Sequence, residues 1–392
     1  MTSRPIGEVF RVASGGTPSR KRSDFYTDGT IPWVKTGDLK GRWVEMPEEK
    51  INQLAIESSS AKVFPENTVL LAMYGATIGA CSILPFKAAT NQACAAILPN
   101  DKADMNYVYY FLKSYKDKFI NAGVGGAQPN ISAAIVKNTK IPLPPLETQQ
   151  KIASILDAAD AYRQKTKALI TKYDQLAQSL FLDMFGDPVT NPKGWEKETF
   201  RKVVTQISDG PFGSNLKSIH YKDEGIRVVR LNNVGVGHFV DKDKAFVDVN
   251  HYEKIKKYTC TKGDVLIATM GTPNVRACKF PEHLDFAIHK ADNVKIRPNM
   301  QFLLQDFIVA MINSPSILRM AEMDMHGQTR TRVSMGQIAK WKVPIPPIEL
   351  QKKFALQLET LESQRIVLDR NISKSEDLFN SLLQRAFKGE LV

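Results

Sequence analysis

The sequence lacks a hydrophobic run long enough to cross a membrane. Its longest apolar stretch, TVLLAMYGATIGACSIL, is interrupted by Gly75 and Gly79, and the opening residues MTSRPIGEVFR contain no apolar signal core. Cysteine is also scarce, with four among 392 residues and none in a Cys-x-x-Cys spacing. These absences argue against a disulfide framework and a zinc site, so we expect a cytoplasmic protein with reduced, mostly buried cysteines.

Motifs that would indicate catalysis are missing as well. There is no Gly-Lys dipeptide, and therefore no phosphate-binding loop ending in Gly-Lys-Ser/Thr. There is no Asn/Asp-Pro-Pro-aromatic tetrapeptide of the amino-methyltransferase kind, and no Pro-Asp pair to open a common nuclease motif. The six histidines all lie in the second half without a pair spaced by four, which disfavours metal ligation. We expect neither catalytic nor metal-binding residues.

Positive charge is in excess, and it is unevenly distributed. The net charge is +12. Residues 1–150 carry 17 Lys and Arg against 13 Asp and Glu, and residues 201–350 carry 22 against 15, whereas residues 151–200 are balanced. Two basic blocks favour a polyanionic partner. General solubility explains the charge about equally well.

Two stretches of the chain are nearly the same. KIPLPPLETQQKIASILD covers residues 140–157 and KVPIPPIELQKKFALQLE covers residues 342–359, so Pro144-Pro145 and Pro346-Pro347 align at a shift of 202. The blocks that precede them repeat more loosely and in the same order; IPWVKTGDLKGRWV (31–44), for example, resembles IRVVRLNNVGVGHFV (226–240). Short Val/Ile/Leu-rich runs punctuated by Gly and Pro predict strands, and residues 107–115 and 302–312 predict a short helix in each block. The chain is a tandem duplication of an α+β block.

Each Pro-Pro pair is followed by a long stretch in which apolar residues alternate at spacings of three and four. This pattern is typical of a coiled-coil helix, and each helix would be roughly 55–60 Å long at 1.5 Å per residue. A single helix cannot bury such a stripe, and packing onto its own block would cover only the first turns. We therefore expect the two helices to pair, with Arg365 as a polar exception in the seam. The predicted seam residues are Leu169, Tyr173, Leu176, Leu368, Ile372 and Phe379.

These features resemble the specificity subunit of a type I restriction–modification system. The most specific marks are PLPPLETQQKIA and PIPPIELQKKFA, supported by SGGTPSR (14–20), ATIGA (76–80) and TNQACAAIL (90–98). The second block departs from the first, with His289-Lys290 where the first has Asn91-Gln92. The resemblance implies an α+β fold with pseudo-twofold symmetry. Its parts would be a target-recognition domain over residues 1–145, a long helix over 146–186, a second recognition domain over 187–347 and a second long helix over 348–392.

The resemblance also implies a function. Each recognition domain would read one half of a bipartite, gapped site in double-stranded DNA, and the antiparallel helices would hold the domains apart. The helices would also dock two methyltransferase subunits, through which restriction and translocase subunits would join. The chain itself would be non-catalytic and hold no cofactor, with S-adenosylmethionine and ATP used by the partner subunits only. The alternative is a non-catalytic coiled-coil scaffold with generic nucleic-acid binding.

Base reading requires side chains that hydrogen-bond to base edges and cations that meet phosphate or guanine. Such side chains stand where apolar runs break into polar loops, although turn capping explains Asn91 and Asn130 nearly as well. The TRTR run (329–332) is the sharpest signal, because alternating Arg suits phosphate or guanine. In the first block the candidates are Lys35, Thr36, Tyr74, Asn91, Gln92, Gln128 and Asn130. In the second block they are Arg230, Asn232, Asn233, His289, Lys290, Thr329, Arg330 and Arg332.

Overall fold

The computed structural model describes residues 2–124, 129–324 and 332–391. It divides into two compact units: unit 1 comprises Met1–Lys167 and Arg370–Val392, and unit 2 comprises Ala168–Asp369. Both units mix helices and strands, as the sequence predicts. The division passes through both long helices, so each unit contains one block together with half of each helix.

Unit 1 contains two four-stranded sheets. The first has the order Val12–Ser14, Cys94–Ile97, Val69–Ala72, Cys81–Ile83, all antiparallel. The second has the order Lys50–Ile51, Ile31–Val34, Ala88–Thr90, Val63–Phe64, with its two central strands parallel. A two-stranded ribbon joins Ser3–Pro5 to Lys140–Pro142. The α-helices of the block are Ile6–Val9, Gln53–Glu57, Met105–Ser114, Lys116–Asn121 and Ala133–Asn138.

Unit 2 repeats this plan. Its antiparallel sheet has the order Val204–Asp209, Asn293–Pro298, Val265–Ala268, Arg276–Lys279. Its mixed sheet has the order Tyr221–Lys222, Ala245–Val247, Ile226–Val229, Phe286–His289, Thr259–Thr261, and its ribbon joins Lys197–Thr199 to Lys342–Pro344. The α-helices of the block are Val249–Ile255, Gln305–Ile312, Pro315–Met323 and Met335–Lys340.

The central strand of each antiparallel sheet is buried on both faces. In unit 1, Val69 and Leu71 pack with the helix Met105–Ser114, while Leu70 and Ala72 face a second, smaller core. In unit 2 the strand Val265–Ala268 divides its side chains between two cores in the same way. A strand covered on both faces needs a continuous apolar run, which is why VLLA and VLIA stand out in the sequence.

The two long helices span Leu146–Phe185 and Ile348–Lys388 and pack together. Each is followed by a glycine in the left-handed region, Gly186 or Gly389. In unit 1, Lys167 of the first helix lies 2.7 Å from Glu376 of the second; in unit 2, Arg365 of the second lies 3.0 Å from Asp174 of the first. Arg365 thus stands in the interface, held by a carboxylate of the other helix.

Along the first helix, the buried stripe differs from the predicted seam. Leu169 and Leu176 are 43% and 51% exposed, so their assignment to the seam was wrong. The more buried positions are one residue later, at Ile170 and Ala177, in line with buried Thr166. Thr166 is polar and Ala177 is small, so apolarity alone did not identify the stripe. Tyr173, Leu368 and Ile372 are half-buried, and Phe379 is buried.

The paired Pro-Pro motifs have a structural explanation in one glutamine each. The Gln149 side chain accepts from the Asp104 backbone N–H at 3.1 Å and donates to the Pro144 carbonyl at 2.9 Å. Gln351 likewise accepts from Leu304 N–H at 2.8 Å and donates to the Pro346 carbonyl at 2.9 Å. Both glutamines are buried. They bind the start of each long helix to its own unit, which accounts for the glutamine in the repeated motif.

Candidate nucleic-acid interface

In unit 1, two parallel strands place their following loops side by side. Val34 and Thr90 are paired in the register of Ile31–Val34 and Ala88–Thr90. The Asn91 backbone N–H donates to the Val34 carbonyl at 3.0 Å. Because parallel strands end at the same sheet edge, Lys35 and Thr36 stand beside Asn91 and Gln92. This is the edge where ligands bind in many open αβ sheets.

Tyr74 and Asn130 join the same edge. They form an isolated antiparallel bridge, and both side chains are exposed. Met73 connects them to the strand-end loops, because its N–H donates to the Ala93 carbonyl at 2.9 Å and its carbonyl accepts from Ile131 N–H at 2.9 Å. The described candidates of the first block therefore lie in connected strand-end loops of the two sheets, and we call this group the unit 1 edge. Gln128 lies outside the described residues.

The candidates at the unit 1 edge differ in how freely they could meet a ligand. Lys35 Nζ lies 2.6 Å from Glu49, and this contact helps hold the pKa of the Glu49 carboxyl below its ordinary value. Gln92 is exposed and its amide oxygen accepts from the Thr17 hydroxyl. The buried Asn91 amide oxygen has no hydrogen-bond partner among the described residues. Gln92 and Asn130 are the amides most open to solvent.

Unit 2 builds the corresponding edge. Val229 pairs with His289 in the parallel strands Ile226–Val229 and Phe286–His289, and Lys290 N–H donates to the Val229 carbonyl at 3.0 Å. Lys290 is therefore the counterpart of Asn91, and His289 is the counterpart of Thr90. The pairing of His289-Lys290 with Asn91-Gln92 taken from the sequence was off by one residue, because the polar His289 is still the last residue of its strand.

Two candidates of the second block are buried and are corrected here. Asn233 has no exposed surface; its amide donates to the Val240 and Asp243 carbonyls at 2.8 Å each, and its oxygen accepts from Arg230 N–H. His289 is equally buried, and burial lowers its pKa to about 4. Neither side chain is available to a base edge. Each side chain instead hydrogen-bonds to backbone carbonyls within unit 2.

The remaining described candidates of unit 2 reach the surface. Arg230 forms an ion pair with Asp243, Asn232 is exposed, and Lys290 is half-buried. Arg332 is also half-buried, and its guanidinium lies 5.3 Å from the centre of the Phe212 ring, which is 42% exposed. Thr329 and Arg330 lie outside the described residues. Among the described candidates, unit 2 has three cations, Arg230, Lys290 and Arg332, whereas unit 1 has one, Lys35.

In each unit, a glycine-containing loop packs closely against the edge, through Gly15 in unit 1 and Gly210 in unit 2. A Cβ at Gly15 would lie 2.0 Å from the Thr90 carbonyl oxygen, and one at Gly210 would lie 2.2 Å from that of His289. Only glycine permits such an approach. The unit 1 loop carries Arg20, whose guanidinium lies 4.7 Å from the centre of the Tyr26 ring. Arg20 and Phe212 were not among the predicted candidates, although the Gly-rich loops SGGTPSR and SDGPFGS contain them.

The described ranges contain no candidate metal site at these edges. No group of three or more His, Cys, Asp or Glu residues there could hold a metal ion. None of the described helices is long and apolar enough to span a bilayer. Each edge offers cations, amides and an exposed or stacked aromatic ring. The fold is thus a duplicated mixed module with two long helices that pack together.

Comparison with known proteins shows which sequences this chain is similar to. Residues 1–172 match the family model described as type I restriction modification DNA specificity domain. The chain is 24% identical to the type I restriction enzyme MjaIX specificity subunit of Methanocaldococcus jannaschii, over 99% of this chain and 93% of that one. It is 22% identical to the EcoKI specificity subunit of Escherichia coli K12, over 99% of this chain and 88% of that one.

Solved structures share the fold. A chain from a structure of type I restriction–modification complex assembly superposes with a TM-score of 0.61 at 17% identity, covering 100% of this chain and 98% of that one. The specificity subunit from M. genitalium superposes with a TM-score of 0.54 at 16% identity, covering 98% and 96%. Residues 1–172 thus match the model of a type I DNA specificity domain, and the resemblance of the chain to specificity subunits of these systems is confirmed.

Proposed function

We propose that this chain is the DNA sequence-specificity subunit of a type I restriction–modification complex. Each unit reads one half of a bipartite, gapped site, and the paired helices set the spacing and dock two methyltransferase subunits. Restriction and translocase subunits join through the methyltransferases. The chain is non-catalytic and works in the cytoplasm, with S-adenosylmethionine and ATP bound by its partners.

One observation carries this proposal: the same sheet edge is built twice with different side chains. Val34 and Thr90 support the first edge, and Val229 and His289 support the second with the same register. The residues above them differ, with Gln92 and Asn130 exposed in unit 1 and Asn232 exposed in unit 2. A shared frame with different polar side chains is what two readers of different half-sites need. A scaffold with generic binding needs no such difference.

The decisive experiment is a map of adenine methylation in cells that express this chain with an active partner methyltransferase. Wild type should methylate one bipartite, gapped motif. Gln92→Ala should relax base preference in one half of that motif only, and Asn232→Ala should relax it in the other half only.

Matched controls lie at the opposite end of the same strands. Lys87 and Asp285 are exposed and precede Ala88–Thr90 and Phe286–His289. Lys87→Ala and Asp285→Asn should leave both half-sites unchanged. If deleting the gene removes no methylated motif while the methyltransferase is demonstrably active, the scaffold alternative replaces the proposal; such a scaffold would bind DNA with steep salt dependence and no preferred sequence.

A further inference from the structure

Unit 2 contains a cavity of about 340 Å³ beside its share of the long helices. The cavity lies between both long helices, the loop around Val236 and the helix Gln305–Ile312. Ala177, Val309 and Ala310 supply part of its apolar wall. Its volume is within the range of small-molecule pockets, which begins at about 300 Å³.

The same place in unit 1 is filled by the aromatic side chains of the chain itself. The rings of Tyr110 and Phe379 lie 6.2 Å apart between centroids, and Phe379 is 1% exposed. Lys113 Nζ and the Arg163 guanidinium lie 5.2 and 4.6 Å from the centre of the Phe379 ring. A ring with a cation over its face thus completes the packing of unit 1.

The internal repeat shows which residues correspond. The repeated Pro-Pro motifs fix the long helices at a shift of 202, so Ala177 is the counterpart of Phe379 and Arg365 that of Arg163. The Gln149 and Gln351 contacts to Asp104 and Leu304 fix the short helices at a shift of 200. Ala310 and Asn313 are then the counterparts of Tyr110 and Lys113. These four counterparts, Ala177, Ala310, Asn313 and Arg365, all line the cavity.

The charged groups around the cavity are already paired with one another. Lys279 lies 2.6 Å from Asp306 and 3.7 Å from Glu362, and Arg365 lies 3.0 Å from Asp174. A charged ligand would have to compete with these contacts. A neutral ring would keep them and still lie near the Arg365 guanidinium.

We propose that this cavity binds a small molecule with one neutral aromatic ring. The ring takes the place that the Phe379 and Tyr110 rings occupy in unit 1 and contacts Ala177 and Ala310. Binding of the ring gains dispersion energy and apolar burial that the small side chains of Ala177 and Ala310 do not provide. An apolar cavity of roughly 150 Å³ is already large enough for benzene, so size permits a substituted ring here. Binding of the ring at this site requires no DNA.

The test is titration of the full chain with phenol and indole, followed by ligand-observed NMR and by thermal unfolding. Cyclohexanol serves as the non-aromatic control and benzoate as the charged one. Phenol and indole should bind with Kd on the order of 1 mM or tighter and raise the unfolding temperature. Cyclohexanol and benzoate should bind more weakly.

Two filling variants and one opening variant complete the design. Ala177→Phe and Ala310→Phe each place a ring in the cavity, as in unit 1, and each should weaken phenol binding by roughly tenfold or more while raising the unfolding temperature. Phe379→Ala opens the matching space in unit 1 and should add a second binding site. The proposal is overturned if phenol and indole fail to bind at about 10 mM, or if both folded filling variants bind them as wild type does.

Discussion

The guanidinium of Arg332 lies over the ring of Phe212, with 5.3 Å between the Arg332 Cζ and the ring centroid. The ring is 42% exposed, so the cation lies against an aromatic face at the surface of unit 2. Stacking of this kind orients a guanidinium without neutralising it. Arg332 occupies the position in unit 2 that Asn130 occupies in unit 1. The next residue of each, Val333 or Ile131, donates its N–H to the carbonyl of Thr269 or Met73, respectively.

Replacing Arg332 tests the role of this stacked cation in DNA binding. Arg332→Ala should weaken binding of the full chain to its target DNA by about 1–3 kcal/mol, because a phosphate or guanine contact is lost. Arg332→Lys should recover part of the loss, since it keeps the charge and loses the planar fork. Fluorescence anisotropy at fixed salt measures both. Lys262→Ala is the control: it removes one charge from a 73% exposed side chain outside the edge and should change little.

Strand ends were predictable where the residue types change abruptly. Lys35 and Asn91 each follow a short apolar run, and the structure brings them side by side. Asn233 and His289 are polar, as Lys35 and Asn91 are, but tertiary packing buries them. Sequence alone cannot distinguish a polar side chain that hydrogen-bonds to backbone carbonyls from one that faces solvent. Leu169 was wrongly assigned to the seam because the next residue, Ile170, is also apolar. Sequence alone did not decide which of the two faces the other helix.

Gln351 should be essential for the stability of unit 2. Gln351→Leu keeps the volume but leaves the Leu304 N–H and the Phe302 and Pro346 carbonyls without their amide partner. We expect a loss of roughly 2–5 kcal/mol, because each buried group without a partner costs about 1–3. Urea unfolding followed by circular dichroism measures it.

The neighbouring substitution Lys352→Ala provides the control for Gln351. Within the described part of the chain, Lys352 pairs with Glu349 at 2.7 Å and both side chains are exposed, so the expected change is below about 1 kcal/mol. Equal unfolding curves for Gln351→Leu and wild type would contradict the role assigned to the repeated Pro-Pro motif.

The four cysteine thiols should be unreactive in the folded chain. All four are buried, and burial raises the pKa of Cys81, Cys94 and Cys278 to about 12 and that of Cys260 further still. Because the thiolate is the nucleophile, almost none is present at pH 8. Ellman's reagent should therefore titrate no thiol in buffer and four in urea. A Lys87→Cys variant, exposed on a loop, supplies the fast-reacting reference; rapid reaction of a native thiol would show that its core opens.

His289 should make the stability of unit 2 depend on pH in a defined window. Its Nδ1 lies 2.7 Å from the Tyr258 carbonyl oxygen and its Nε2 lies 3.3 Å from that of Ser208, so the neutral ring donates through Nδ1 to the closer oxygen. Burial lowers the pKa to about 4 from the ordinary 6.5, so the unfolded chain binds the proton first as pH falls. The stabilisation is complete above pH 6.5 and is lost between 6.5 and 4, with a total on the order of 3 kcal/mol.

Other groups, the carboxylates above all, also titrate in this range, so the measurement must compare two chains. His289→Thr installs the residue that unit 1 has at the corresponding position, Thr90, which is itself fully buried. The difference in unfolding free energy between wild type and His289→Thr should change steadily from pH 7 to pH 4, in favour of the variant at low pH. A difference that stays constant would mean that His289 keeps an ordinary pKa. The ring would then be accessible to protons, which would contradict its burial beneath the unit 2 edge.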